Sequence, residues 1–403
     1  MAAPDAQLLW LSAAVPNDQF LLFAFDGTPD LGAALEDVRR NAQRCPDLFL
    51  RAVDDSRWSY PRWQRGEITP DQIRVHPATD WQGCLTAVAT LDQLDATRAA
   101  WRMHVFPPGF VVVQIAHCLG DGTRSAALAA ALLGRRAPLP PVTGPHRGFL
   151  PARAVAAARA HRRLMRDIEA GRLAPPAPPR PAASVNARPG GHSVLRTAVV
   201  HRDQLRRPTV TVGALAAVSE ALGGYLVARG EDISRLGAEV PFTLGVSRPA
   251  QARNNFRNVS VNLHPQAGTQ ERAELIAAEL VECRRRVRHP AVQASDAAFA
   301  AVPAPVLRWG VGQFDPAAHS GTAAAHTVVS SVNRGPADLT FGGCPVAFTA
   351  GFPALSPMMS LTHGVHGIGD AVAISVHADP GNVDVDDYFD RLAHALSVRP
   401  RQF

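Results

Sequence analysis

The segment Phe110-Val-Val-Val-Gln-Ile-Ala-His-Cys-Leu-Gly-Asp-Gly122 decides how the chain is interpreted. Its first half is a run of apolar and β-branched residues, which predicts a buried strand. Polar residues follow directly, and an alanine- and leucine-rich helical stretch begins at Ser125. This order of strand, polar turn and helix places His117 and Asp121 on a rigid scaffold, where a side chain can face a cavity.

His117 is the residue of this segment best suited to chemistry. An imidazole has an unperturbed pKa near ~6.5, so at neutral pH it can accept a proton from a hydroxyl or an amine. Asp121 would order the turn or pair with an arginine, and Gly122 allows a close backbone approach. A histidine at a strand end is also often only hydrogen-bonded in place, so spacing alone leaves a structural role open.

The flanking sequence alternates strand and helix patterns. Residues 102–106 and 110–116 predict a hairpin across Pro107-Pro108-Gly109. Residues 20–25 and 85–90 predict strands, and 31–44 a helix. In the second half we expect helices at 212–228, 269–288 (capped by Thr269) and 386–396, and strands at 194–200, 242–246, 258–263, 327–332, 345–349, 359–362 and 371–376. The fold class is therefore α/β or α+β.

Length and proline content suggest where domains meet. A chain of 403 residues corresponds to two or three domains. Prolines cluster within residues 135–191, around an arginine-rich helical stretch, which is typical of an inter-domain connection. We therefore predict an N-terminal domain at 1–134, a connection at 135–191 and a C-terminal domain at 192–403.

Composition excludes several classes of protein. All 41 basic residues are arginine, so chemistry that needs a Schiff-base or phosphate-binding lysine is excluded. The arginines are scattered and the net charge is only +6, so no nucleic-acid partner is predicted. No apolar run approaches ~18 residues, and no signal peptide is predicted. Five cysteines without a C-x-x-C pair suggest reduced thiols in the cytoplasm.

Histidines also occur close together near the C-terminus. His363, His366 and His377 could be considered as metal ligands, but they complete no known ligand pattern. We expect them on strand ends and turns facing solvent, and we predict no metal site.

The central segment, Ala116-His-Cys-Leu-Gly-Asp-Gly122, resembles the HHxxxDG motif of the coenzyme A-dependent acyltransferase superfamily. That superfamily includes chloramphenicol acetyltransferase, peptide-synthetase condensation domains and bacterial wax ester synthase/diacylglycerol acyltransferases. Further segments resemble the last branch in the right order, and together they span nearly the whole chain: Pro4–Trp10, Ile73–His76, Val185–Gly190 with Arg196, Leu244–Pro249 with Asn254–Asn258, and Val329–Pro336 with Gly342-Gly343.

The resemblance implies two chloramphenicol-acetyltransferase-like domains, each a mixed sheet with helices, and an active-site tunnel between them. His117 matches the general base of the family. Asp121 matches the motif aspartate, which usually holds the turn by pairing with an arginine, and Arg248 is our candidate for that partner. Removing one member of such a buried pair would cost ~3 to 5 kcal/mol.

The implied reaction moves an acyl group from a thioester to a hydroxyl or amine acceptor. The acyl-CoA or acyl carrier protein is a co-substrate, no cofactor is bound, and the acceptor is a small molecule. The oxyanion needs hydrogen-bond donors, for which Ser330, Ser331 and Asn333 are candidates, although such residues also form turns. No nucleophile elbow is present, and a dyad of Cys118 with its neighbour is not favoured, so no covalent acyl-enzyme is expected.

Departures from the family pattern leave alternatives open. Ala116 replaces the first motif histidine, and Ala99-Ala-Trp-Arg102 and Val212-Gly-Ala-Leu215 stand where the branch has other residues. One alternative is a catalytically degenerate binding or scaffold protein of the same fold. Another is a condensation-type enzyme that acts on carrier-bound substrates. The expected location is cytoplasmic, in solution or peripheral to a membrane.

Overall fold

The structure is a computed structural model that describes residues 1–144, 148–205, 207–243 and 250–397. The helices are α1 Ala3–Leu11, α2 Leu31–Gln43, α3 Trp81–Val88, α4 Gly122–Leu132, α5 Leu150–Glu169, α6 Arg202–Leu205, α7 Val210–Val227, α8 Thr269–Val287, α9 Pro290–Phe299, α10 Ala304–Gly312 and α11 Val385–Ala395. The strands are β1 Gln19–Phe25, β2 Leu50–Val53, β3 Arg62–Arg65, β4 Ile73–Val75, β5 Trp101–Phe106, β6 Phe110–Ile115, β7 Arg180–Pro181, β8 Val194–His201, β9 Gly237–Thr243, β10 Phe256–Asn262, β11 Thr322–Ala323, β12 Thr327–Asn333, β13 Thr340–Phe341, β14 Cys344–Gly351, β15 Leu361–Ile368 and β16 Ala371–Ala378.

Two six-stranded sheets organise the chain, in agreement with the predicted mixed α/β class. The first has the order β13-β14-β1-β6-β5-β4, and the second has the order β10-β9-β12-β15-β16-β8. Both sheets are mixed: β4 is parallel to β5 in the first, and β12 is parallel to β9 and β15 in the second. The hairpin β5–β6 forms as predicted, with Phe106 opposite Phe110.

The first sheet includes strands from the second half of the chain. Residues of β14 pair with β1, for example Gly351 with Leu21, although β14 lies within the predicted C-terminal domain. The boundaries at 134 and 191 therefore do not separate the two sheets cleanly. This exchange brings the end of β12 and the start of the next turn against the first sheet.

The second sheet packs on an apolar helix, α7. In the second half, α7 is buried on nearly all sides among the core residues of β8, β16 and α11. It is the one helix of the described residues long and apolar enough to cross a membrane by length and composition, and most of it is buried inside the protein. Its hydrophobicity is accounted for by its place in the core.

Some predicted elements are wrong in type or extent. Residues 85–90 belong largely to helix α3, because the Asp80 side chain accepts a hydrogen bond from Gly83 N at 2.7 Å and caps it. Trp81, Cys84, Leu85 and Val88 then bury one helical face. Helix α8 is capped at Gly268, not at Thr269. Strand β9 starts at residue 237, earlier than predicted, and positions 244–246 lie outside the described residues.

The histidines near the C-terminus are not on solvent-facing turns, as the sequence analysis expected. The strand predicted at 359–362 runs as β15 through residue 368, which places His363 and His366 inside a central strand. His363 is fully buried between Thr327 and Tyr388, with which it forms hydrogen bonds of 2.8 and 2.5 Å. Burial lowers its pKa to about 3, so this imidazole is a neutral core group.

The connection at 135–191 contains its own helix. Helix α5 spans 20 residues without a single buried one, and it packs against α9. Arg285 and Arg286, from the basic end of α8, donate hydrogen bonds to the backbone carbonyls of Arg172, Ala174 and Pro175. These bonds fix the proline-rich segment after α5 to the second half.

Candidate active site

The turn after β6 holds His117 in place. Ala116 is extended, one 3₁₀ turn covers His117–Leu119, and Asp121 caps helix α4. A glycine is required at position 120, because a Cβ there would lie 2.8 Å from Cβ of Arg124. The end of β6 and the cap of α4 thus fix the backbone on both sides of His117.

The side chain of Asn254 sets the tautomer of His117. Nδ1 of His117 lies 3.0 Å from Oδ1 of Asn254. The amide group is oriented because Nδ2 of Asn254 donates to Oδ1 of Asp5 at 3.0 Å and to the backbone carbonyl of His117 at 2.8 Å. Oδ1 of Asn254 must therefore accept, so Nδ1 of His117 carries the proton and Nε2 keeps a free lone pair.

The electrostatics keep this imidazole neutral. Burial lowers the pKa of His117, against the opposing effects of its own backbone carbonyl, Asn254 and the charge of Asp121. Phe256 stacks on the ring with centroids 5.6 Å apart and planes 24° apart. A neutral imidazole that is held on one edge and one face is suited to accept a proton at Nε2.

Asp5 anchors the segment that carries Asn254. Its carboxylate is 2% exposed and accepts hydrogen bonds from Arg253 N at 3.1 Å and Asn254 N at 2.9 Å. Burial raises the pKa of Asp5, and these hydrogen bonds oppose the rise. Helix α1 therefore supports the imidazole indirectly, through Asn254.

Asp121 has a structural role in this arrangement. Its Oδ1 accepts from Arg124 N and its Oδ2 from Asn255 N, each at 3.0 Å. The expected partner Arg248 lies outside the described residues, and within the described ranges no arginine forms an ion pair with Asp121. The aspartate caps α4 and ties the turn to the second half of the chain by backbone contacts.

A different carboxylate, that of Asp47, pairs with one arginine from each half of the chain. Asp47 accepts a bidentate contact from Arg253, with Nη1 at 2.6 Å and Nη2 at 3.1 Å, and it also pairs with Arg124. Burial acts to raise the pKa of Asp47, but the hydrogen bonds and charges of both arginines lower it overall. This group links α4, the Asp47 turn and the segment before Asn254.

Three cavities that share lining residues lie at and beside His117. A cavity of about 510 Å³ is lined by His117, Asp121, Gly122, Phe256 and residues of β12. A second cavity of about 540 Å³ shares Phe20, Phe352 and neighbouring residues with it. A third, of about 240 Å³, shares Pro241, Thr243 and Ser331 with it and carries Arg284 and Arg288 in its wall. The first cavity, which His117 lines, thus adjoins both of the others, and two arginines line the third.

The three candidate oxyanion donors differ in placement. All of them line the cavity that contains His117. Ser331 Oγ lies 2.9 Å from Thr211 Oγ1 of α7, and Asn333 Oδ1 accepts a turn hydrogen bond from Gly335 N at 2.9 Å. Ser330 is on the opposite face of β12 from Ser331. Its hydroxyl makes no hydrogen bond to any described residue, so it is the most available donor.

Sequence reasoning missed Asp5, Arg253, Asn254 and Phe256 as site residues. All four lie in segments that resemble the family, at 4–10 and 254–258 or directly beside them. Their roles depend on contacts between residues far apart in the chain: the hydrogen bonds that join Asn254 to His117 and to Asp5 span 137 and 249 positions. The resemblance marked the segments but not the contacts.

Metal-ligand groups and the thiol beside His117 were also considered in the described part of the chain. No group of three or more His, Cys, Asp or Glu side chains there could hold a metal ion. Cys118, beside His117, is buried, and burial raises the pKa of its thiol. A raised pKa disfavours the thiolate that nucleophilic catalysis needs.

Comparisons with known proteins bear on the fold and on the C-terminal part of the sequence. The fold is that of the CoA-dependent acyltransferases: the Marinobacter aquaeolei VT8 wax ester synthase/diacylglycerol acyltransferase superposes with a TM-score of 0.60 at 19% identity, over 98% of this chain and 97% of that one. The starter condensation domain of rhizomide synthetase RzmA, in complex with C8-CoA and Leu-SNAC, gives 0.58 at 14% identity, over 98% and 92%. No curated protein matches in sequence.

Within that fold, the second half is assigned more closely. Residues 254–398 match the family model of the WS/DGAT C-terminal domain. The resemblance found in the sequence motifs is thereby confirmed for the C-terminal part, and the two-domain acyltransferase fold is confirmed for the whole chain.

Proposed function

We propose that this chain is a thioester-dependent acyltransferase in which His117 is the general base. One observation carries the proposal: the Nε2 lone pair of a neutral, orientated imidazole is available in a cavity large enough for a ligand. The fold supports the same conclusion, because the structural relatives are acyltransferases and condensation domains.

The proposed reaction balances without a covalent enzyme intermediate. Nε2 of His117 accepts the proton of the acceptor hydroxyl or amine as its oxygen or nitrogen attacks the thioester carbonyl. The tetrahedral intermediate then collapses, the carbon–sulfur bond breaks, and the departing thiolate takes the proton from His117. The products are an ester or amide and a free thiol, and the imidazole returns to its neutral form.

Ser330 is the proposed donor to the oxyanion. It faces the cavity from β12, and its hydroxyl has no other hydrogen bond among the described residues. A hydroxyl that is free in the resting site can turn to the negative oxygen as charge develops, which stabilises the transition state more than the ground state.

The donor that the arginines of the third cavity favour is an acyl-CoA. Arg284 and Arg288 line the third cavity, and Arg284 lies over the ring of Phe242 at 5.5 Å. Guanidinium groups in a cavity that adjoins the one lined by His117 suit the phosphates of coenzyme A. An acyl carrier protein, whose thioester is carried on a phosphopantetheine arm, remains the alternative donor. The small-molecule acceptor would use the second cavity.

We further propose a cytoplasmic location with contact to membrane surfaces. Five cysteines are free thiols. Helix α5 has no buried residue, carries five arginines and exposes Val155 and Met165. A basic amphipathic helix of this kind binds anionic interfaces. Co-sedimentation with anionic vesicles but not with zwitterionic ones is expected, and equal recovery with both would contradict this location.

Thiol release measures the proposed activity directly. The purified chain would be incubated with acyl-CoAs of two to eighteen carbons, or the corresponding acyl carrier proteins, and a panel of alcohols and amines. We expect thiol release that depends on the acceptor, with an ester or amide found by mass spectrometry. Donor binding without turnover across the panel would favour the degenerate scaffold, and turnover with carrier proteins alone would favour the condensation-type enzyme.

A further inference from the structure

A buried arginine without a counter-ion lies in the wall of the catalytic cavity. Arg334 follows β12, is 6% exposed and lines the same cavity as His117. Within the described residues it takes part in no ion pair, in contrast to Arg124 and Arg253, which share Asp47. A buried cation is normally paired, so this one needs an explanation.

The protein satisfies only part of the guanidinium group. Nη1 donates to Thr349 Oγ1 and, at 2.9 Å, to the backbone carbonyl of Ala350. Nε is buried without a hydrogen-bond partner, and Nη2 donates to no described residue. The group lies over the ring of Phe23 at 5.5 Å. Burial lowers the pKa of Arg334 to about 9, so the side chain is still a cation at neutral pH.

A second unsatisfied polar group lies beside it. His366 of β15 is 6% exposed, lines the same cavity, and its Nδ1 is buried without a partner. Burial first, and then the charge of Arg334, lower the pKa of His366 well below its usual value. A neutral imidazole can donate one hydrogen bond.

The backbone between the two side chains leaves room for both. A Cβ at Gly351 would lie 2.7 Å from Nη2 of Arg334 and 2.8 Å from Cε1 of His366. Glycine at this position of β14 therefore lets the guanidinium and the imidazole approach one strand from the cavity side. The exchange of β14 into the first sheet creates this corner.

We propose that Arg334 and His366 form a subsite that binds the carboxylate of a substrate in the catalytic cavity. This inference rests on the proposed function for the identity of that ligand as a substrate. One carboxylate would neutralise the charge of the guanidinium group. It would also accept one hydrogen bond from Nη2 of Arg334 and one from the imidazole of His366. A phosphate dianion would leave an excess buried charge, which disfavours it.

Two kinds of substrate could carry this carboxylate. It belongs either to the acceptor, as in a hydroxy or amino acid, or to the acyl group, as in the monothioester of a dicarboxylic acid. The chemistry at Arg334 is the same in both cases, and binding measurements with one substrate at a time distinguish them.

Calorimetric titration of the full chain tests the subsite without turnover. The acceptor arm compares ω-hydroxy acids of four to ten carbons with their primary amides. The donor arm compares glutaryl-CoA with its monomethyl ester. In one arm we expect the carboxylate form to bind at least tenfold more tightly than its neutral twin. We expect Arg334→Gln to abolish that preference and His366→Phe to weaken it.

Arg180→Gln is the matched control. Arg180 is equally buried, but its guanidinium donates to Ser260, Asn262 and the carbonyl of Ala324, away from the catalytic cavity. This variant should keep the preference. No preference in either arm of the wild-type protein would overturn the subsite, and so would a preference that survives in folded Arg334→Gln. Should that variant not fold, the wild-type and His366→Phe titrations decide. These titrations contain one substrate at a time, so they measure binding without turnover. A failure of the proposed acyl transfer would therefore not be mistaken for a failure of the subsite.

Discussion

At the residue scale, the imidazole of His117 depends on a neighbour that its own motif does not contain. The motif aspartate, Asp121, binds backbone amides, whereas the amide oxygen of Asn254 receives the Nδ1 proton. Asp5 in turn fixes the orientation of that amide. A neutral amide orients the imidazole without adding a full charge, so burial still lowers the pKa of His117 and the imidazole is neutral at physiological pH.

Asn254→Ala is expected to lower both activity and the pKa of His117. Without the amide the imidazole can adopt the other tautomer, so turnover should fall roughly tenfold or more, part of the ~10²–10⁴ that a general base supplies. The hydrogen bond that Nδ1 of His117 donates to Asn254 raises the pKa of His117, so its loss should move the acid limb of kcat/KM to lower pH. Measuring kcat/KM from pH 4 to 9 checks both effects.

The adjacent asparagine provides the control. Asn255 contacts Asp121 through its backbone amide, so Asn255→Ala should keep that bond and leave the acid limb in place. An acid limb that moves upward in Asn254→Ala, or that moves equally in both variants, would contradict the assigned tautomer.

The two adjacent serines of β12 should differ in effect. Ser330→Ala removes a hydroxyl without another partner, and we expect kcat to fall about 100-fold with little change in KM, as for other oxyanion donors. Ser331→Ala breaks only the contact with Thr211 and should alter kcat less than about threefold. Steady-state kinetics on both variants provides the comparison, and equal losses would remove Ser330 from the mechanism.

The roles of single residues could be predicted from the sequence where they depend on neighbouring positions in the chain. His117, Asp121 and Gly122 follow a buried strand, and the structure places all three in the wall of one cavity. Asp5 and Asn254 could not be assigned roles, because each acts through a contact with a residue more than 100 positions away. The burial of His366 was not predicted because its strand continues through Gly364 and Gly367, which lower the strand propensity.

At the element scale, the Asp47 cluster holds helix α4 and the Asn254 segment together. Arg124 extends from the first turns of α4, and Arg253 precedes Asn254, so one carboxylate fixes two elements that contribute to the site. Both guanidinium groups and the carboxylate are largely shielded from solvent. An ion group with this burial is costly to disrupt in part, since the remaining charges lose their partner.

Asp47→Asn should therefore destabilise the fold by roughly 3–5 kcal/mol, the usual cost of breaking a buried pair. The matched control is Asp37→Asn, since Asp37 pairs with Arg40 on the surface with both side chains 57% exposed. There the expected loss is below about 1 kcal/mol. Urea denaturation gives both values, and equal losses in the two variants would show that the cluster is not a structural link.

The same cluster implies a direction of pH dependence. The pKa of Asp47 is lower in the folded chain than in the unfolded one. Its contribution is therefore complete above the unfolded value near ~3.9 and disappears as pH falls through the folded value. Wild-type stability should drop more steeply than that of Asp47→Asn between about pH 4 and 2, and parallel curves would contradict the shift.

Helices and strands could be predicted from the sequence where the period of their apolar residues was clear. The hairpin of β5 and β6 and the long helices α7 and α8 lie close to the predicted positions. Helix α3 was predicted as a strand because its apolar residues, Leu85 and Val88 among them, also suit a short buried strand. The membership of β14 in the first sheet depends on a long-range pairing that no local pattern encodes.

At the scale of the whole molecule, the site lies where two sheets meet. Strand β14 joins the first sheet, β12 belongs to the second, and the cavity that His117 lines is bounded by residues of both. The two-domain class was predicted from length and resemblance. The resemblance also implied a tunnel between the domains, whereas the exchange of β14 and the arginine-lined third cavity could not be predicted, since they arise from packing between distant segments.

Reversing one charge in the arginine-lined third cavity should raise the KM for an acyl-CoA more than the KM for a short thioester. Arg284→Glu removes one guanidinium of the third cavity and adds a negative charge. We expect the KM for an acyl-CoA to rise about tenfold, equivalent to roughly 1.4 kcal/mol, while the KM for the matching N-acetylcysteamine thioester, which has no phosphate, stays constant. Arg285→Glu is the control, because Arg285 binds Glu282 and the carbonyl of Arg172 instead. Equal effects on both donors would contradict a phosphate role.

The central claim is that Nε2 of His117 removes the acceptor proton, and one comparison tests it most directly. Thiol release with the best donor and acceptor pair would be measured for the wild-type chain, His117→Ala and the exposed-histidine control His201→Ala. The account predicts that kcat falls by about 10²–10⁴ in His117→Ala, with donor binding retained, and that the control keeps wild-type turnover. Turnover within a few-fold of wild type in folded His117→Ala would contradict it.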